Sequence, residues 1–182
     1  MAESENAIQI FNRYKSTLKI TSKESNANVY MTNSMYPAIN FDSVKRKYKK
    51  PNFCGLRSND ALLLPPVGYD KYVFIEFKDG HIEDRKNITE ITEKIYESLL
   101  LFNEITRENI SYDKSHVVYI LVFNEGDNSK FASNAHLAKL ANKKYIVPEL
   151  ERYKKLFVDF STITKADFCN ITNRLDRNEY PF

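Results

Sequence analysis

The segment Tyr72-Val73-Phe74-Ile75-Glu76-Phe77-Lys78 constrains this chain most, because it is a strand-like apolar run carrying two opposite charges. Strand side chains alternate, so Glu76 and Lys78 point to one face and Val73, Ile75 and Phe77 to the other. A carboxylate or an ammonium buried in such a strand costs free energy unless it is paired. Either that face is open to water or the charges are kept for chemistry. Upstream, Asp60 enters the apolar run Ala61-Leu62-Leu63-Leu64, which Pro65-Pro66 stops. The loop Val67-Gly68-Tyr69-Asp70 returns the chain into the charged strand, so 61–64 and 72–78 are expected to pair antiparallel.

Downstream, Asn87 and Glu90 have the spacing of a helix N-cap and its capping partner. Ile88, Ile91, Ile95, Leu99 and Phe102 follow at steps of three and four, an amphipathic helix with a continuous apolar stripe. Val73, Ile75 and Phe77 are expected to pack beneath it. Residues 117–123 are apolar throughout and read as a central strand. A helix is expected over 129–142, with Phe131, Ala135, Leu137, Ala138 and Ala141 for packing. The alternation of Leu156, Val158 and Phe160 reads as a further strand, and Thr164 with Asp167 as the start of a last helix. At the other end, Ile8, Phe11 and Leu18 suggest an opening helix within 6–20. Between 21 and 56 only short apolar groups around Val29 and Ile39 emerge. The order implies an α/β fold with a mixed central β-sheet and flanking helices. One domain is expected across 1–182, with its core over about 57–123 and C-terminal additions over 129–182.

A carboxylate on one strand and a Glu-x-Lys on its neighbour have the composition needed to hold a divalent metal beside a water-orienting lysine. Phosphodiester hydrolysis uses such an arrangement. With 14 Glu and 19 Lys in the chain, about one Glu-x-Lys arises by chance, so the tripeptide alone carries little information. Its place in an apolar strand, between an upstream Asp and a downstream amphipathic helix, carries more. The competing reading is a sheet with one wet face, on which Glu76 and Lys78 are solvated and Asp60 caps a strand.

On Ser58-Asn59-Asp60, Ile75-Glu76-Phe77-Lys78 and the element order over residues 57–123, the chain resembles the PD-(D/E)XK nuclease superfamily, which includes restriction endonucleases and Holliday-junction resolvases. The resemblance implies a restriction-endonuclease-like core. It implies Asp60 and Glu76 as ligands of Mg2+ (or Mn2+), Phe77 as a carbonyl ligand, and Lys78 as the water-positioning cation, with Asp60, Glu76 and Lys78 as the catalytic set. It further implies a nucleic-acid substrate, DNA before RNA, and allows a homodimer. Asn59 stands where the family pattern has proline, and Glu24 is the best placed of the early glutamates for a first-helix acid. The alternative is a non-catalytic interaction protein on the same scaffold, an immunity, antitoxin or assembly factor with a protein partner.

Other charges divide between chemistry and solvation. The run Lys45-Arg46-Lys47-Tyr48-Lys49-Lys50, with Phe53 nearby, either tracks a phosphate backbone or forms a solvated loop. Glu90 and Lys94 read as an exposed i,i+4 pair, with Lys94 reaching a phosphate as the second option. His81, His116 and His136 sit at no metal-ligand spacing, and His81 is expected in a turn. Four glycines offer no phosphate-binding loop. A net charge of +3 permits nucleic-acid binding without requiring it. Cys54 and Cys169 fit no zinc spacing and read as reduced thiols. The acidic start Met1-Ala2-Glu3-Ser4-Glu5 lacks a secretory pattern, and no apolar run is long enough to span a bilayer. A cytoplasmic protein without a membrane segment is the expectation.

Overall fold

The computed structural model describes residues 6–23, 29–48 and 55–182. A six-stranded mixed sheet runs in the order β1 (Lys15–Thr17), β2 (Pro37–Asn40), β3 (Ala61–Leu63), β4 (Tyr72–Lys78), β5 (Val117–Phe123) and β6 (Asp159–Thr164). The first four strands pair antiparallel, and the last two add in parallel. The fold is therefore α/β, with helices on both faces of the sheet. No helix among the described residues is long and apolar enough to cross a membrane.

The β3–β4 hairpin forms as expected, with Ala61 opposite Ile75, Leu62 opposite Phe74 and Leu63 opposite Val73. Its connection is tightened by a turn in which Tyr69 N–H donates to the Pro66 carbonyl at 3.0 Å. Gly68 has φ +89° there, a left-handed value that glycine adopts without Cβ strain. The parallel step from β4 to β5 requires a long crossover. It is supplied by α4 (Arg85–Thr106) and α5 (Ile110–His116). A second crossover, α6 (Ser129–Leu140) and a 3-10 helix (Pro148–Leu156), leads to β6, after which α7 (Lys165–Leu175) closes the chain.

Two apolar layers sandwich the sheet. On one side Phe74 of β4 and Tyr119 and Leu121 of β5 pack under Ile91, Ile95, Leu99 and Phe102 of α4. Phe102 is the hub, with ring centroids 6.1 Å from Phe11, 5.1 Å from Tyr72 and 5.7 Å from Phe74. On the other side Val73, Ile75 and Phe77 pack with Val118, Ile120, Phe168 and Leu175. Burying each such large side chain contributes roughly 1.5–3 kcal/mol. This overturns the expected placement of Val73, Ile75 and Phe77, which lie beneath α7 rather than α4. The face of Glu76 is the one that α4 covers. Because both faces are roofed, neither is wet, and Glu76 is only 1% exposed.

Several boundaries also differ. The opening helix is split into α1 (Ala7–Asn12), β1 and α2 (Leu18–Thr21), because Asn40 N–H and Ile39 draw residues 14–17 into the sheet edge. Helix α4 begins at Arg85 after Asp84, while Asn87 donates its side-chain amide to the His81 carbonyl instead of capping. The expected strand at Leu156–Phe160 starts at Asp159, with Leu156 ending the 3-10 helix. In α6 only Phe131 and Ala135 are buried, and Leu137 is exposed. β5 covers its expected residues and is buried at every position. α7 follows Thr164, whose hydroxyl accepts the Asp167 N–H at 3.0 Å.

Candidate functional site

β3 ends its ladder at Ala61, and one residue earlier the side chain of Asp60 takes over from the backbone. Its Oδ2 accepts the Phe77 N–H at 2.7 Å. The N–H and C=O of one strand residue project to the same edge, so the Phe77 carbonyl also faces the Asp60 side of β4. One residue back, Glu76 rises from β4 under α4. Lys94 descends from that helix to meet it, with Nζ 2.7 Å from Glu76 Oε1 and 3.4 Å from Asp60 Oδ1. Asp60 and Glu76 thus converge on one ammonium. Glu76 Oε2 is buried and has no hydrogen-bond partner among the described residues.

Burial pushes the Asp60 carboxyl above its usual range against the opposing pull of Lys94. Burial, and then the neighbouring Asp60 charge, push Glu76 up further, again opposed by Lys94. For Lys94 burial acts downward, but the two carboxylates outweigh it and hold the ammonium above its ordinary value. Two carboxylates share one cation. When both are ionised, the cluster carries an uncompensated negative charge in a place where burial leaves little water to screen it.

A buried polar shelf supports the pair. Asn59 N–H donates to Ser98 Oγ at 2.7 Å, and Tyr119 OH donates to Asn59 Oδ1 at 3.3 Å. Asn59 is fully buried. Its backbone N–H holds α4 and its side-chain oxygen holds β5, and a proline could do neither.

Lys78 lies on the same face but turns to α4, with Nζ 3.3 Å from Glu90 Oε2. Arg57 reaches the same glutamate at 3.0 Å and Glu93 at 2.7 Å, and its backbone N–H donates to Glu97. Burial acts to raise Glu90, yet Lys78, Lys94 and Arg57 together hold it below its ordinary value. The expected exposed pair of Glu90 and Lys94 is therefore not the arrangement found. Glu90 serves Lys78 and Arg57, while Lys94 is turned inward onto Glu76 and Asp60.

Above Asp60 and Lys94 opens a cleft of about 380 Å³ whose walls include Lys23, Asp42, Lys45, Arg46 and Arg57. Asp42, in the first turn of α3 (Phe41–Lys47), accepts the Ser58 hydroxyl at 2.5 Å and lies 3.6 Å from Lys45. The basic run thus begins as the last turn of α3. Its end at Lys49 and Lys50, with Phe53, Cys54 and Glu24, lies outside the described residues. His81 is held in the turn after β4, Nδ1 2.7 Å from the Asp127 carbonyl, away from the carboxylates. Among the described residues no group of three or more His, Cys, Asp or Glu side chains gathers as a metal cluster.

The structure brings Asp60, Glu76 and the Phe77 backbone together and leaves Lys78 paired with Glu90 instead. It adds Lys94, Asp42 and the Asn59–Ser98–Tyr119 shelf. Lys94 had a detectable signal, since Lys94, Ser98, Leu101 and Ile105 recur at steps of four, three and four, the spacing of a helix's inward row. Asp42 had none, because it lies far from Asp60 in sequence. Comparison with known proteins adds no relative: no family model matches the chain, and neither a curated protein nor a solved structure does.

Proposed function

We propose that this chain is a divalent-metal-dependent nuclease that hydrolyses phosphodiester bonds, in DNA before RNA. The carrying observation is the convergence of Asp60 and Glu76 on a single cation position, now taken by the Lys94 ammonium, with Asp60 and Lys94 lining a basic-walled cleft and Glu76 buried beneath them. The donor set suits Mg2+ or Mn2+, hard cations that prefer carboxylate and carbonyl oxygens. Asp60, Glu76 and the Phe77 carbonyl would hold the ion, and the unpartnered Glu76 Oε2 is the kind of acceptor it would satisfy. The ion would supply charge stabilisation at the phosphoryl oxygens and a more acidic water.

The chain's own groups do the rest. Lys78 orients the attacking water, its ammonium steadied by Glu90, which Arg57 in turn holds in place. Lys23, Lys45 and Arg46 place the phosphodiester backbone over Asp60, at the end of the sheet where β3 begins. Support for the reading also comes from the order of elements: four antiparallel strands, a helical crossover and a parallel strand, with Asp60 just before the third strand and Glu76 on the fourth. Cys169 is free, which suits a reducing, cytoplasmic setting.

Cleavage of duplex, branched and single-stranded DNA and of RNA, with Mg2+ or Mn2+ against chelator, tests the proposal. No cut in any form, together with no divalent binding by calorimetry, would end it. One observation favours the second reading, a protein-binding scaffold without catalysis: Lys94 already neutralises part of the carboxylate pair. A protein partner bound through this cleft by wild-type chain that takes up no metal would establish it.

A further inference from the structure

We infer that Lys94 is a two-position lysine that gates the site, leaving Asp60 and Glu76 for Glu90 when a divalent cation enters; this rests on the metal reading above. An ammonium and a hard cation compete for the same two carboxylates, and the Lys94 Nζ contacts Glu76 Oε1 at 2.7 Å and Asp60 Oδ1 at 3.4 Å. Both cannot be satisfied at once. The lysine has somewhere to go. Glu90 lies one helical turn back on α4, four residues N-terminal, the spacing at which a glutamate and a lysine meet on a helix surface. Both residues line the same cleft, so the path between the two positions is open.

Glu90 is now occupied by Lys78 at 3.3 Å and Arg57 at 3.0 Å. Arrival of Lys94 there would loosen Lys78, whose charge acts on Glu76 from two residues along the same face of β4. The exchange thus couples cation entry to release of the water-positioning lysine. It also gives the apo protein a reason to keep a lysine buried beneath α4. Without a resident cation, two carboxylates would face each other in a desolvated pocket, which is costly.

Mn2+ binding measured by calorimetry on the full chain tests this. Lys94→Met should bind Mn2+ at least tenfold more tightly than wild type. Glu90→Gln should weaken binding several-fold in the wild-type background and have no effect in the Lys94→Met background. Equal or weaker binding by Lys94→Met, or equal weakening by Glu90→Gln in both backgrounds, would overturn the exchange while leaving the metal reading intact. No binding by either wild type or Lys94→Met would remove the metal reading and the exchange together. Should Lys94→Met fail to fold, lysine side-chain NMR of wild-type protein decides. The Lys94 Cε and Nζ resonances must shift on Mg2+ saturation, and resonances that stay put while Mg2+ binds would refute the gate.

Discussion

Asp60 and Phe77 are joined across the end of β3 by a hydrogen bond from the Phe77 N–H to Asp60 Oδ2, 2.7 Å long. One carboxylate oxygen thus extends the sheet, and the other faces the Lys94 ammonium. The two jobs separate on substitution. Asp60→Asn keeps an acceptor for Phe77 and should fold, yet weaken Mn2+ binding at least tenfold. Asp60→Ala loses both and should lower unfolding free energy by about 1.5–3 kcal/mol, the scale of a charge-assisted hydrogen bond. Urea denaturation and calorimetry on the two variants check the split.

Glu76→Gln removes a charge but nearly preserves shape, and Gln can still accept from Lys94. Cleavage should fall below detection, with thermal stability within a few degrees of wild type. Lys78→Ala should reduce turnover by at least a hundredfold while leaving Mn2+ affinity within threefold, since Lys78 contacts Glu90 rather than the carboxylate pair. A Lys78→Ala protein that no longer binds Mn2+ would place this lysine among the groups that hold the ion.

The cleft walls should make nucleic-acid binding depend on salt. Exchange of Lys45 or Arg46 for Glu should weaken DNA binding, measured in Ca2+ to prevent cutting. It should also reduce the slope of log affinity against log salt by about 0.7–0.9 for each phosphate that is no longer neutralised. Fluorescence anisotropy at several salt concentrations reads both effects. Unchanged slopes would take the DNA path off α3.

Phe77 and Phe168 have ring centroids 5.4 Å apart in an edge-to-face arrangement. A double-mutant cycle through Phe77→Leu and Phe168→Leu should show a coupling of about 0.5–1.5 kcal/mol. The corresponding cycle between Phe77 and Ile91 should show none, because the sheet separates them. Coupling in the second cycle would put Phe77 back under α4.

Asp113, fully buried at the start of α5, gives a pH signature away from the site. Its Oδ2 accepts the Asn103 amide at 2.7 Å, whereas its Oδ1 and the Asn103 Oδ1 have no partner among the described residues. Burial pushes the carboxyl up to about 6, opposed by the Asn103 bond and aided by Glu108. The folded state therefore binds this proton more tightly than the unfolded chain does. Its stabilising effect is full below the ordinary Asp range and is lost as pH rises through about 6. Asp113→Asn supplies an N–H for Asn103 Oδ1 without a charge. The variant should exceed wild-type stability by on the order of 1–3 kcal/mol at pH 7. That advantage should vanish near pH 4, as followed by urea unfolding across pH; an advantage that persists there would mean Asp113 is not protonated in the fold.

Much of the scaffold was legible from residue order because local periodicity is a local property. The uninterrupted apolar run at Val117–Phe123 required a strand covered on both faces. The stripe on α4 required a helix on a sheet, and the proline pair with Gly68 required a return between two strands. Asp60 and Glu76 came close together once that hairpin was inferred. Which layer covers which face of β4 was decided only in three dimensions. Alternation separates Val73, Ile75 and Phe77 from Phe74 and Glu76, but both faces carry large apolar side chains, and nothing local says which one α4 will choose. The split of the first helix came from β2, a partner distant in sequence that captures residues 15–17. Lys94 carried a helical phase that pointed inward, yet its role depended on two carboxylates from two other strands. Through-space convergence of that kind has no periodicity to betray it, and the packing of α4 onto β3 and β4 alone created it.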